Sequence, residues 1–329
     1  MKAAVVERIN ELRVKEVETP QPGPGEVLVE VKACGVCGTD VHVLDGNFPA
    51  DFPIIPGHEL SGQVVAVGEN TRSVQVGDRV AIQPNLSCGA CDSCRAGKPH
   101  FCSDFMGVGT KLHGGFAEYI LCPEVLVHRF PEHLSYEDAS FAEPLSCCLH
   151  GLDLLQLVPG ENCLVIGAGS IGLLMTQLLL HGGASTVTVV ERSEAKRNLA
   201  EKFGAVGCAD LQNLEGRTFE NVIECVGNPW LMEQTITLAA PKGKILWFGV
   251  PAEEDVVKIH PVQVFRKELT IMGSFVNPFT FDRALALLAG GRLQVAEMNS
   301  HTYSLDDTLQ AIADKRNSVG IRQVVLPNK

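Results

Sequence analysis

The sequence has little positive charge and no long apolar segment. Its 329 residues carry 27 Lys and Arg against 39 Asp and Glu, which gives a formal net charge of -12. Nucleic acids and anionic membranes are bound through clustered basic side chains, so we expect this protein to bind neither. The longest apolar stretches, such as residues 171–180, are far shorter than the roughly 20 residues that span a bilayer.

The first 14 residues also lack the uninterrupted apolar segment of a secretory signal, because Glu7, Arg8, Glu11 and Arg13 divide them. We therefore predict a cytoplasmic protein. Cysteine, in contrast, is abundant, with 12 residues. Clustered cysteines in a reducing compartment are more often metal ligands than disulfides. Six of them form two tight groups, at 34 and 37 and between 88 and 102, and the others are predicted to be small buried side chains.

Two kinds of sequence pattern divide the chain, and its length also favours two domains. Residues 1–145 contain short apolar runs broken by Pro and Gly, which is typical of short strands joined by turns. Beyond them the pattern becomes an alternation of strands and helices that weakens after residue 285. A last strand-like run at 322–326 is expected to return to the first domain. The predicted domains are therefore 1–145 with 286–329, and 146–285.

The alternation in the second domain predicts βαβ units and hence an α/β fold with a doubly wound parallel sheet. The strand-like runs are short and rich in Val, Ile and Leu, and the helical runs are longer and partly charged. The predicted strands are 163–166, 186–190, 221–225 and 244–248, and the predicted helices are 170–180 and 194–203.

The run Gly167-Ala168-Gly169-Ser170-Ile171-Gly172 fits the pattern G-x-G-x-x-G. It follows one predicted strand and opens a predicted helix, which is the context a dinucleotide site requires. Gly167 permits a tight turn, Gly169 a close approach of a pyrophosphate, and Gly172 close packing of the helix. The helix N-terminus at Ser170 and Ile171 then faces the phosphate charge.

An acidic residue follows the second predicted strand. Glu191 lies 19 residues after Gly172, near the spacing at which an acid accepts a hydrogen bond from the ribose 2′-hydroxyl. A carboxylate there repels a 2′-phosphate, so the sequence favours NAD. The neighbouring Arg192 could pair with that phosphate, which keeps NADP as the alternative.

Four cysteines at short spacing form the most specific pattern in the chain: Cys88-x2-Cys91-x2-Cys94-x7-Cys102. Four thiolates so close in sequence can surround Zn²⁺ as a tetrahedron. A bacterial ferredoxin run would continue with x3-Cys-Pro, which this sequence does not. A closed Cys₄ site leaves no position for substrate, so the predicted role is structural.

A second set of metal ligands is spread over three segments. Cys37 and His58 offer one sulfur and one nitrogen, and either Glu59 or Glu143 could add a carboxylate. Three protein ligands and one open position are typical of catalytic zinc. Asp40 is predicted to orient His58 through its other ring nitrogen.

These segments together resemble the zinc-containing medium-chain alcohol and polyol dehydrogenases over essentially the whole chain. The resemblance implies a GroES-like β-rich catalytic domain, completed by the C-terminal segment, beside a Rossmann domain. It also implies a homotetramer or homodimer acting on a small molecule. The matching segments, in the family's order, are GVCGTDVH at 35–42, GHE at 57–59, VGDRV at 76–80, the cysteine run, GGFAEY at 114–119, EPL at 143–145 and the glycine motif.

The resemblance also implies roles for individual residues. Liver-type alcohol dehydrogenases carry a cysteine at the position of Glu143, so a glutamate there indicates the sorbitol and threonine dehydrogenase branch. In that branch the catalytic zinc is held by residues matching Cys37, His58 and Glu59, with the match of Glu143 close by or exchanging. Thr39 and His42 pass the substrate proton toward solvent.

The function implied is oxidation of a polyol secondary hydroxyl to a ketone, with two zinc ions per chain and NAD. Sorbitol itself is disfavoured, because sorbitol dehydrogenases carry an arginine near the position of Val276. L-threonine 3-dehydrogenase and a dehydrogenase of simple secondary alcohols are the alternatives among enzymes. A non-catalytic zinc protein that uses NAD only as a ligand is the alternative outside them, and the complete set of site residues argues against it.

Overall fold

The computed structural model describes all 329 residues, which form two compact units. Met1–Pro144 and Pro278–Lys329 form the first unit, and Leu145–Asn277 the second. None of the α-helices combines the length and the apolar character needed to cross a bilayer.

The strands are β1 (Lys2–Arg8), β2 (Glu11–Glu16), β3 (Glu26–Gly35), β4 (Glu59–Val67), β5 (Arg79–Ile82), β6 (Asn85–Leu86), β7 (Met106–Gly107), β8 (Tyr119–Pro123), β9 (Val127–Arg129), β10 (Asn162–Ile166), β11 (Thr186–Val190), β12 (Val206–Cys208), β13 (Phe219–Glu224), β14 (Ala239–Trp247), β15 (Thr270–Gly273), β16 (Asn299–Tyr303) and β17 (Arg322–Val325). The helices are α1 (Gly38–Asp45), α2 (Asp92–Arg95), α3 (Tyr136–Ala139), α4 (Ala142–Leu155), α5 (Ser170–His181), α6 (Glu194–Lys202), α7 (Pro229–Leu238), α8 (Pro261–Lys267), α9 (Phe281–Ala289) and α10 (Thr308–Arg316).

The first unit is built around β3, the strand with the most neighbours. It pairs antiparallel with β4 and β8, and at its end with β17, where Val325 faces Cys34. The strand at the C-terminus therefore completes this sheet. Its core consists mainly of fully buried Val, Ile, Leu and Ala side chains, each Val or Leu contributing about 1.5–3 kcal/mol by leaving water.

The first unit also contains α9, which begins before residue 286. The buried face of this helix includes Phe281, Leu285 and Leu288. Its Asp282 carboxylate lies 2.6 Å from Nδ1 of His128 on β9. Helical periodicity alone could not reveal this placement, because an amphipathic helix packs equally well on either kind of sheet.

The second unit contains a six-stranded parallel sheet in the order β12-β11-β10-β13-β14-β15. By position along the chain this is the order 3-2-1-4-5-6 of a doubly wound nucleotide-binding sheet. Four predicted strands are confirmed, and β12 and β15 were missed because each is short. The strand order reverses between β10 and β13, so a crevice opens at their carboxyl ends.

Candidate active site and zinc centres

The cysteine-rich segment of the first unit gathers its four sulfurs at one point. Cys91 lies just before α2, Cys94 within it, and Cys102 just after a short 3₁₀ turn. The four sulfur atoms all lie within 4.8 Å of one another, and those of Cys88 and Cys94 are 4.0 Å apart. Zn–S bonds of about 2.3 Å place tetrahedral sulfurs about 3.8 Å apart, so the donor set fits a structural zinc ion.

Hydrogen bonds from backbone N–H groups stabilise the thiolate form of some of these cysteines. The N–H groups of Ala90 and Cys91 donate to Cys88 Sγ at 3.4 and 3.3 Å. Similar bonds from Cys94 and Ser103 lower the pKa of Cys91 to about 6, while desolvation and the neighbouring thiols raise that of Cys94 to about 11. Without a cation, the four sulfurs therefore cannot all ionise near neutral pH.

The second donor set is also in the first unit and comes from two separated segments. Cys37 directly precedes α1, and Glu59 is the first residue of β4. One sulfur, one ring nitrogen and one carboxylate oxygen, from Cys37, His58 and Glu59, lie within 4.8 Å of one another. Gly57 makes this geometry accessible, since its φ is +92° and a Cβ would lie 2.8 Å from the sulfur of Cys34. This donor set fits a zinc ion with an open position.

Asp40 joins the two segments that carry the donors. Its side chain is 1% exposed and accepts hydrogen bonds from the backbone N–H of Cys37 at 2.8 Å and of Gly57 at 3.0 Å. Its carboxylate is 3.7 Å from Nδ1 of His58, which is beyond hydrogen-bond distance. In this geometry Asp40 therefore fixes the backbone on either side of the donor set, and direct orientation of His58 stays a prediction.

Glu59 has a partner that the sequence gave no reason to expect. Arg322, 1% exposed, donates from Nη2 to Glu59 Oε2 at 2.8 Å. It also bonds the hydroxyl and carbonyl of Ser140, and its guanidinium lies 3.9 Å from the ring centroid of Phe141. Burial, the largest single effect, raises the pKa of Glu59, but the charges of Arg322, His58 and Lys315 and the hydrogen bond from Arg322 together lower it. Glu59 is therefore ionised, and its carboxylate lies between the Arg322 guanidinium and the metal position.

The other predicted residues of the first unit lie along α1 and at the start of α4. Thr39 Oγ1 is 3.7 Å from Cys37 Sγ, and His42 follows one turn later with an exposed side chain. Residues three apart on a helix share a face, so Thr39 and His42 lie on the same face of α1. Glu143 is buried in the first turn of α4.

The glycine motif of the second unit forms the turn between β10 and α5. Gly167 has a φ of +97°, and a Cβ on Gly172 would lie 1.9 Å from the Gly167 carbonyl oxygen. A Cβ on Gly169 would meet nothing within 4 Å, so the space above Gly169 is open; because the sequence predicts a pyrophosphate there, we call this space the pyrophosphate cradle. The N-terminus of α5, at Ser170 and Ile171, opens beside it.

Glu191 follows the end of β11 and reaches the same turn. Its carboxylate accepts from the backbone N–H of Ala168 at 3.0 Å and of Ser193 at 2.9 Å. The next residue, Arg192, is exposed. The fold thus brings Glu191 to the glycine turn, although 23 residues separate it from Ala168.

Two single substitutions in this turn should separate folding from cofactor binding. We expect Gly169→Ala to change the free energy of unfolding by no more than about 1 kcal/mol, because its φ is -73° and the space is open. The added methyl should raise the Kd for NAD at least about tenfold by occupying the pyrophosphate cradle. Gly172→Ala should instead destabilise the unit by about 1–3 kcal/mol. Calorimetric titration and thermal unfolding of both variants measure this, and an unchanged Kd for Gly169→Ala would contradict it.

The chain matches two family models. Residues 23–132 match the alcohol dehydrogenase GroES-like domain, and residues 170–290 match the zinc-binding dehydrogenase domain. Among curated proteins, it is 34% identical to D-arabinitol dehydrogenase 1 of Uromyces fabae, over 100% of this chain and 97% of that protein. It is 35% identical to D-altritol 5-dehydrogenase of Agrobacterium fabrum, over 89% of each.

A solved structure agrees with these matches. It is described as a zinc-binding dehydrogenase from Sinorhizobium meliloti 1021 bound to NADP. It shares 37% sequence identity with this chain, covers 99% of both chains and superposes with a TM-score of 0.96.

Proposed function

Because the chain belongs to the zinc-dependent alcohol dehydrogenase family, we propose that it transfers a hydride between a secondary hydroxyl of a polyol and NAD, giving a ketose or ketone. The observation that carries the proposal is the donor set of Cys37, His58 and Glu59, present in the same chain as a complete dinucleotide turn. The names of the arabinitol and altritol dehydrogenases favour a polyol over a simple alcohol.

Cys37, His58 and Glu59 would hold the catalytic zinc, with Glu143 as a further carboxylate of the same site. When bound, zinc supplies a Lewis acid that lowers the pKa of the substrate hydroxyl. The positive charges around Glu59, that of Arg322 first among them, lower its pKa, so Glu59 is available as a donor without a competing proton. Cys88, Cys91, Cys94 and Cys102 would hold the structural zinc.

Thr39 and His42 would remove the proton. The Thr39 hydroxyl lies near the donor set and can accept a proton from a substrate hydroxyl while donating its own onward. His42 is exposed, so a proton passed to it would reach solvent. The order in which they act follows from their positions along α1.

NAD is proposed as the cofactor, with NADP as the alternative. Glu191 places a carboxylate at the glycine turn, where it would accept from a ribose 2′-hydroxyl and repel a 2′-phosphate. The NADP in the Sinorhizobium meliloti structure and the exposed Arg192 support the alternative.

A homodimer or homotetramer is also proposed. β15 is the edge strand of its sheet, which leaves one row of backbone groups for pairing with another copy. The nearby Phe265, 81% exposed, and Val262, 50% exposed, add apolar surface. The cytoplasmic location stays a prediction.

A substrate panel tests the proposed function. With NAD, we expect kcat/KM for at least one pentitol or hexitol to exceed that for threonine and for 2-propanol at least about 100-fold, since a site that binds several hydroxyls rejects analogues that lack them. The measurement is the absorbance of reduced nicotinamide, with NADP run in parallel. Threonine or 2-propanol as the best substrate would select one of the alternative enzymes, and absence of turnover with all of them would favour the non-catalytic zinc protein.

A further inference from the structure

Two loops of the second unit face the glycine turn across the carboxyl edge of the sheet. The first follows β13 and contains Val226 and Gly227, and the second follows β14 and contains Gly249. Because the strand order reverses between β10 and β13, the first of these loops is the wall of the crevice opposite the glycine turn. The two walls are close, since Val226 Cγ2 would lie 2.7 Å from a Cβ on Gly167.

The carboxylate of Glu224, the last residue of β13, holds the loop that follows it. The side chain is 0% exposed. Its Oε1 accepts from the backbone N–H of Val226 at 2.8 Å, and its two oxygens accept from that of Gly227 at 3.1 and 3.0 Å. Burial raises the pKa of Glu224, and these N–H groups oppose the rise. Such hydrogen bonds to a buried carboxylate are among the strongest in proteins.

The backbone of Glu224 holds the second loop. Its carbonyl oxygen accepts from the N–H groups of Phe248 and Gly249, both at 2.9 Å. The two loops then pack glycine against glycine, because a Cβ on Gly249 would lie 2.0 Å from the Gly227 nitrogen. A shift of the first loop therefore displaces the second as well.

We propose that Glu224 is a positioning residue for the cofactor: it holds the loops after β13 and β14 in the form that receives the nicotinamide half of the dinucleotide. The proposal rests on the proposed function only for the identity of the dinucleotide. It assigns Glu224 no contact with substrate and no role in holding zinc.

The test compares two conservative substitutions on β13. Glu224→Gln keeps the shape but turns one acceptor oxygen into a donor that faces the loop N–H groups. Glu220→Gln is the matched control, because Glu220 also accepts a backbone N–H, that of Asn162 at 2.6 Å, at the opposite edge of the sheet. We expect Glu224→Gln to raise the Kd and KM for NAD about tenfold, with KM for the polyol and the zinc content unchanged. Glu220→Gln should leave the Kd unchanged.

Calorimetric titration of NAD into each folded protein gives the Kd without any turnover. The result therefore does not depend on whether the proposed polyol substrate is correct. An unchanged Kd in Glu224→Gln, or an equal rise in both variants, would overturn the proposal. If Glu224→Gln does not fold, hydrogen exchange in the unaltered protein decides instead. NAD should then slow exchange at the N–H groups of Val226 and Gly227, and exchange that NAD leaves unchanged would overturn the proposal.

Discussion

Replacing Cys37 by alanine is expected to remove nearly all turnover while the protein stays folded. Cys37 supplies the only sulfur of the donor set with His58 and Glu59, and two remaining ligands bind zinc far more weakly than three. The Lewis acid contributes several kcal/mol to transition-state stabilisation, so kcat should fall at least about 10³-fold. Metal analysis should detect a decrease from about two zinc ions per chain to about one.

The control for this experiment is another cysteine of the same unit. Cys122 is buried on β8, and burial raises its pKa to about 12, so Cys122→Ala should keep both zinc ions and nearly the full kcat. Its circular dichroism spectrum and that of Cys37→Ala should match that of the unaltered protein. A Cys37→Ala variant with normal kcat, or with two zinc ions, would show that Cys37 is not a ligand.

The parts of the site that the sequence predicts are those encoded within short segments. The four cysteines lie within 15 positions, and the glycine turn within six, so their spacing alone restricts their geometry. Glu191 is farther away, but its position follows from the regular length of a βαβ unit. Local spacing thus indicates the four-cysteine site and the dinucleotide turn, with the strands that support them.

Other parts depend on contacts that no local pattern records. Arg322 pairs with Glu59 across 263 positions, and in the sequence it is only a charged residue at the start of an apolar run. Glu224 ends a strand that the sequence does predict, yet its carboxylate is directed at the loop that follows rather than at solvent. Asp40 is similar, since its two backbone partners belong to different segments. Charged residues that are buried and paired must be found from the structure.

Replacing Arg322 by methionine is expected to destabilise the first unit more than the removal of an exposed ion pair would. Methionine retains much of the side-chain volume, but the buried Glu59 carboxylate then loses its counter-charge. Breaking a buried pair in this way costs about 3–5 kcal/mol, or roughly 6–20 °C in Tm for a domain of this size. Scanning calorimetry of the protein with the catalytic zinc removed measures the shift, because a zinc ion on Glu59 would itself supply a counter-charge.

A second substitution in the same protein separates the charge from the packing. Glu59→Gln removes the carboxylate that Arg322→Met leaves unpaired, so the double variant should be more stable than Arg322→Met alone by about 1–3 kcal/mol. Loss of packing against Phe141 and of the hydrogen bonds to Ser140 persists in both, and it cancels in the comparison. A double variant no more stable than Arg322→Met would mean that Arg322 acts through these neighbours. If the double variant does regain this stability, the ion pair between Arg322 and Glu59 is what allows a charged carboxylate to lie buried beside the metal position.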